Sequence, residues 1–140
     1  MKKLILMFLA FTMFSNCVFS MNPPKVVKDA FVKKFPTASK ISWGKESPKE
    51  WEVDFTLDGI KISAVFFEDG KWLETEQMVK ASTLPKVVSN AIKSKYPDWT
   101  ISEADKTESA KLGSIFEADL KKGKQKKAVA IKSDGTFVTE

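Results

Sequence analysis

The chain has 140 residues, 43% hydrophobic and 29% charged, which excludes a disordered polar tail and fits one domain or two small ones. Its formal net charge is +5, and every cation is lysine; there is no arginine and no histidine. The single cysteine, Cys17, excludes an internal disulfide.

The chain opens on a short basic start, Lys2 and Lys3, followed by Leu4 to Phe14, apolar except for Thr12. That run is too short for a bilayer core, which takes about 20 residues. Val18-Phe19-Ser20 then offers small residues at the recognition positions of a cut. Residues 1–20 are expected to be a signal peptide cleaved near Ser20, delivering the chain to the periplasm or outside the cell with no transmembrane segment left. The alternative, a lipid anchor at Cys17, is disfavoured because Asn16 is larger than the residue that usually precedes a lipidated cysteine.

The next element is a helix. Pro24 suits its first turn. Val27, Ala30, Phe31 and Phe35 recur at spacings of three and four, one apolar stripe. Lys33 and Lys34 complement the dipole of the last turn, and Pro36 stops the helix. A strand over Ser39 to Lys45 follows, with Ile41 and Trp43. Trp51, Val53, Phe55 and Leu57 then alternate with Glu52, Asp54 and Thr56, the pattern of a half-buried strand. Asp58-Gly59 predicts a hairpin that pairs Leu57 with Ile60, Phe55 with Ile62, Val53 with Ala64 and Trp51 with Phe66. A second two-residue turn at Asp69-Gly70 is expected to pair Phe67 with Trp72 and Phe66 with Leu73.

The same series then returns. Pro85-Lys86-Val87-Val88 lies 61 residues after Pro24-Lys25-Val26-Val27, and Tyr96-Pro97 lies 61 after Phe35-Pro36. Phe116-Glu117-Ala118-Asp119-Leu120 answers Trp51 to Phe55 at an offset of 65, as Asp134-Gly135 answers Asp69-Gly70. Two copies of one unit are therefore expected, at 22–79 and 81–140, within one compact body over 21–140. In the second, Trp99 to Lys106 is a strand, a turn at Gly123-Lys124 pairs Ala118 with Val129 and Phe116 with Ile131, and Asp134-Gly135 pairs Ile131 with Val138. The expected fold is α+β: two tandem repeats, each one helix against a four-stranded antiparallel meander.

These motifs resemble a known family. "AFVKKFPTASKISW" followed by "WEVDFTLDGIKISAVFFEDGKWLETE" is similar to PepSY-like domains related to the beta-lactamase inhibitory protein fold. Phe35, Pro36, Trp43, Trp51, Glu52, Val53, Phe55, Gly59, Gly70, Lys71 and Trp72 carry the resemblance, which spans essentially the whole chain after the leader. The second unit departs from it, with Ala104 where the first has Trp43, and Thr136 after Gly135. The resemblance implies an exported protein, and one whose shape can grip another protein on an open sheet.

Chemistry is sparse. Without histidine, or any thiol past Cys17, the usual acid–base and nucleophile sets are missing, and no catalytic, cofactor or metal residues are assigned. Glu50, Glu52 and Asp54 lie close together, as do Glu68, Asp69, Glu74 and Glu76; turns and the polar face of a strand explain them. Lysines cluster at Lys121, Lys122, Lys124, Lys126 and Lys127, where solvated strand ends and turns account for them. No nucleic-acid partner is expected, since specific readout leans on bidentate arginine.

The deduced register places Glu52, Asp54, Val65, Phe67, Trp72 and Glu74 on the sheet face away from the helix, with Phe137 on the matching face of the second unit. An aromatic patch rimmed by charge suits a protein-binding surface. The expected function is thus a non-catalytic binding or inhibitor-like protein of the cell envelope that engages a protein partner through this face. A small-ligand or lipid carrier is the alternative, and a carboxylate-based hydrolase a third.

Overall fold

The computed structural model describes residues 21–138; the leader, Cys17 and the cut near Ser20 lie outside the described residues. Helix α1 (Lys25–Lys34) is followed by strands β1 (Ser39–Ser47), β2 (Glu50–Leu57), β3 (Ile60–Phe67) and β4 (Trp72–Val79). A 3-10 turn (Ala81–Thr83) leads to helix α2 (Lys86–Lys95) and strands β5 (Thr100–Ser109), β6 (Gly113–Lys122) and β7 (Gln125–Lys132). The strands form one seven-stranded antiparallel sheet in sequence order, so the α+β class expected from the pattern is the one observed. The chain divides into two compact units: residues 21–78 with 107–113, and residues 79–106 with 114–138.

In the first unit, α1 buries the stripe its spacing predicts: Val27 and Phe31 are fully enclosed. Phe31 is the hub. Its ring lies 5.3 Å from Trp43, 5.1 Å from Phe55 and 6.3 Å from Phe66, each edge-to-face, the arrangement the ring quadrupole favours. Trp51, Val53, Ala64 and Phe66 complete this helix-side core. Burying a side chain the size of Phe31 contributes about 2–3 kcal/mol, so this cluster is the main support of α1. Between β2 and β3 the register is the one the Asp58-Gly59 turn demands, with Leu57 opposite Ile60 and Trp51 opposite Phe66. Both turn residues adopt positive φ, 51° at Asp58 and 83° at Gly59, as a two-residue hairpin of this hand requires.

The second turn differs from expectation. Gly70 N–H donates to the Phe67 carbonyl at 2.8 Å, and Phe67 N–H donates to Lys71 at 2.8 Å. Only Gly70 has positive φ here, so the loop takes three residues instead of two. The register slips by one: Phe66, not Phe67, stands opposite Trp72, and a bulge then restores Val65 to Glu74. Because side chains alternate faces, that slip turns Trp72 to the helix side. Beyond β4, Ala110 N–H donates to the Leu73 carbonyl at 2.7 Å, which ties the 107–113 segment to this unit.

In the second unit, Val88 and Ile92 of α2 are buried with Leu84, Ala104, Ala118, Leu120, Val129 and Ile131. The β6–β7 register pairs Phe116 with Ile131 and Ala118 with Val129, as the Gly123-Lys124 turn predicts. The fourth strand expected here is reduced to one bridge, and that bridge joins Ile131 to Phe137, not to Val138. The cause matches the first unit: Gly135 N–H donates to Lys132 at 2.9 Å and Lys132 N–H to Thr136 at 2.9 Å, a three-residue loop. Phe137 therefore packs against the helix-side core, 5.9 Å from the Tyr96 ring.

Candidate functional site

The face of the first unit away from α1 is built by the strand positions that alternate with the core. Glu50 stands opposite Phe67, Glu52 opposite Val65 and Asp54 opposite Ser63 on β2–β3; Glu74 stands opposite Val65 on β4. Val65 is 6% exposed although it belongs to neither helix-side cluster, and Phe67 is half-buried. Of the residues expected on this face, Val65, Phe67, Glu52, Asp54 and Glu74 are there. Trp72 and Phe137 are not. Trp72 lies with the α1 core, its ring 3.8 Å from Lys34 Nζ and its indole N–H donating to Thr75 Oγ1 at 3.0 Å. Phe137 lies under Lys95, Nζ to ring centre 4.0 Å. Each helix thus ends on a lysine held over an aromatic ring, a cation–π contact that also covers the ring's outer surface.

Two residues join the face. A bulge in β1 falls between Lys45 and Ser47, at Glu46, and Glu50 begins β2. Strand alternation continued from Trp43, whose ring faces α1, reaches Glu46 on the opposite face, and continued back from Glu52 reaches Glu50. The sequence pattern therefore held the signal for both, once Trp43 is fixed as core.

These carboxylates crowd one another. Burial, then the charges of Glu52, Glu50 and Glu74, push the Glu46 carboxyl up to about 7. Glu52 is raised by burial and by Asp54, with partial relief from Ser63 Oγ, which donates to its Oε1 at 3.0 Å. Glu74 is raised by burial and by Glu50. Asp54 reaches solvent as a residue, yet partial burial of its carboxylate raises it, against the pull of Lys61. Chemically, the face offers hydrogen-bond acceptors and negative charge around an apolar centre. Among the described residues no group of three or more metal-ligating side chains is arranged to hold a metal ion, and no helix is long and apolar enough to cross a membrane.

Solved structures share this fold and give the class it belongs to, the beta-lactamase-inhibitor-like proteins. A BLIP-like protein from Bacteroides fragilis is similar with a TM-score of 0.74 at 23% identity, each chain covering 85% of the other. A DUF2874 family protein from Bacteroides ovatus is similar with a TM-score of 0.75 at 22% identity, over 85% of this chain and 86% of that one. A protein from Bacteroides eggerthii described as "putative periplasmic" is similar with a TM-score of 0.74 at 20% identity, over 85% and 88%. No curated protein matches the chain in sequence. A family model described as "Putative beta-lactamase-inhibitor-like, PepSY-like" matches residues 49–139, and the chain belongs to that family.

Proposed function

We propose that the chain is an exported binding module that does no chemistry of its own and holds a protein partner on the first unit's sheet face. One observation carries this reading: Val65 and Phe67 sit on the face away from α1, ringed by Glu46, Glu50, Glu52 and Glu74, three of which have raised carboxyl pKa values. Apolar area with charged acceptors around it is the composition of a protein-binding hot spot and its rim. Delivery to the periplasm follows from the leader pattern and agrees with the description of the Bacteroides eggerthii neighbour.

Internal duplication is part of the same proposal. Lys34 over Trp72 and Lys95 over Phe137 occupy equivalent places in two copies of one design. So do two close approaches of hairpin to helix, Gly70 to Val26 and Gly135 to Val87. The proposed units are 22–79 and 81–140, with the second short of its last strand.

Site-specific photocrosslinking in living cells tests the binding surface. A photoreactive phenylalanine at position 67 is expected to trap a protein partner, and the same group at Val32, exposed on α1, is expected not to. Equal trapping from both positions overturns the assignment.

A further inference from the structure

Two like-charged clusters of opposite sign stand in this chain. Lys121 lies directly opposite Lys126 across β6–β7, and Lys124 sits in the turn between them; all three are exposed. Like charges placed opposite each other across an antiparallel pair are destabilising. The neighbouring lysines are engaged: Lys122 Nζ donates to Asp98 at 2.9 Å, and Lys127 Nζ lies 5.8 Å from the Tyr96 ring centre. On the first unit, Glu46, Glu50, Glu52 and Glu74 crowd their negative charges around Val65 and Phe67, and Lys61 acts on the neighbouring Asp54. Each cluster costs stability where it stands, and each is the electrostatic complement of the other.

We propose that the sheet face of the first unit takes the β6–β7 hairpin tip of a second copy of this chain, head to tail, with Lys121, Lys124 and Lys126 meeting Glu46, Glu50 and Glu52. The proposal rests on the reading of that face as a protein-binding surface and names its occupant. Lysine suits both halves of the face, because its long stem covers the apolar area that the half-buried Phe67 leaves open while its head reaches the surrounding carboxylates. The contact is heterologous: each molecule uses its face once and its hairpin once, so assembly runs on into open chains or closes into a ring. Pairs of exposed charges contribute little each and are screened by salt, and the net charge, +5 for the full chain and +3 once Lys2 and Lys3 leave with the leader, opposes association at long range. The assembly is therefore weak, salt-sensitive and favoured by high local concentration.

Sedimentation of the chain, expressed with its own leader and purified as the cell delivers it, tests this. Two triple variants are compared with it, Glu46→Gln/Glu50→Gln/Glu52→Gln on the face and Lys121→Gln/Lys124→Gln/Lys126→Gln on the hairpin, with circular dichroism to establish that each is folded. In low salt the unaltered chain is expected to gain average mass as its concentration rises, and to lose most of that gain at about 0.5 M salt, where screening acts within a few ångströms. Each variant alone is expected to stay monomeric. Mixed in equal amounts they are expected to form a two-molecule complex that grows no further, because one intact face meets one intact hairpin. A chain that stays monomeric at about 1 mM in low salt overturns the proposal, since even a weak contact, about 4 kcal/mol, half-saturates there. So do variants that associate as the unaltered chain does, and so does a mixture that fails to associate. If crosslinking at position 67 traps a different protein while the unaltered chain stays monomeric, the binding face survives and only the second copy is excluded as its occupant.

Discussion

The terminal nitrogen of Lys34 lies 3.8 Å from the centre of the Trp72 ring, which fixes Trp72 to the end of α1 instead of to the face away from it. The relationship links three levels. A glycine in the turn sets a one-residue slip, the slip sets the face, and the face decides whether the largest aromatic of β4 supports the core or meets a partner. A double-mutant cycle with Lys34→Ala and Trp72→Ala measures the contact. The expected coupling is about 0.5–1 kcal/mol for an exposed cation on a half-buried ring, read from urea denaturation. Additive effects would show that the lysine merely lies there.

Gly70 and Gly59 separate two costs that usually travel together. Both have positive φ, 86° and 83°. A Cβ at Gly70 would lie 2.9 Å from the Val26 carbonyl oxygen, whereas nothing lies within 4 Å of one at Gly59. Gly59→Ala is expected to cost about 1 kcal/mol, the backbone term alone. Gly70→Ala is expected to cost about 2–3 kcal/mol, because α1 must also move away from the hairpin. Denaturation midpoints of the two variants, at unchanged slope, check the difference.

Stability is expected to fall as pH rises through the Glu46 range. The folded carboxyl titrates at about 7, above its ordinary value of 4.5, so between those values the folded state binds more protons than the unfolded one. The stabilisation is present in full below pH 4.5 and lost as pH passes 7. Since Glu46 is partly solvated, screening holds the change to about 1 kcal/mol. Glu46→Gln is expected to flatten that slope and to raise stability at pH 8, measured by urea denaturation across the range. A slope that survives the substitution would assign the effect to Glu52 or Glu74, which are raised in the same sense.

Phe31→Ala is expected to cost about 4 kcal/mol, since it empties the centre of a cluster touching Trp43, Phe55 and Phe66. Ile41→Ala, on a residue 46% exposed at the sheet edge, is expected to cost under about 1 kcal/mol. Thermal or chemical unfolding of the pair shows whether the core is centred where the ring geometry places it.

Much of the fold was legible because it rests on short-range rules. Periodicity marked Val27 and Phe31 as buried positions of α1, and the turn at Asp58-Gly59 set the β2–β3 register. The same dipeptide misled at Asp69-Gly70. Asp58 adopts φ of 51°, while Asp69 stays out of the positive region and accepts a hydrogen bond from Lys71 N–H at 2.9 Å on its Oδ1. What differs is the surroundings: Gly70 is pressed against Val26 of α1, a contact 44 positions away that no local pattern encodes. Trp72 and Phe137 were misplaced by the same one-residue error, so the apolar patch shrank to Phe67 and the buried Val65 beside it. Glu46 was within reach of alternation but needed Trp43 assigned to the core first.

The central claim is that Phe67, and not Trp72, belongs to the partner-binding face. Capture of proteins from envelope extract by the Phe67→Ala and Trp72→Ala chains, each first confirmed folded and each quantified against the unaltered chain, tests it most directly. Phe67→Ala is expected to lose capture by roughly tenfold or more at nearly unchanged stability. Trp72→Ala is expected to lose about 2–3 kcal/mol of stability and to keep its capture. The reverse outcome, with capture lost on Trp72→Ala and retained on Phe67→Ala, would contradict the account.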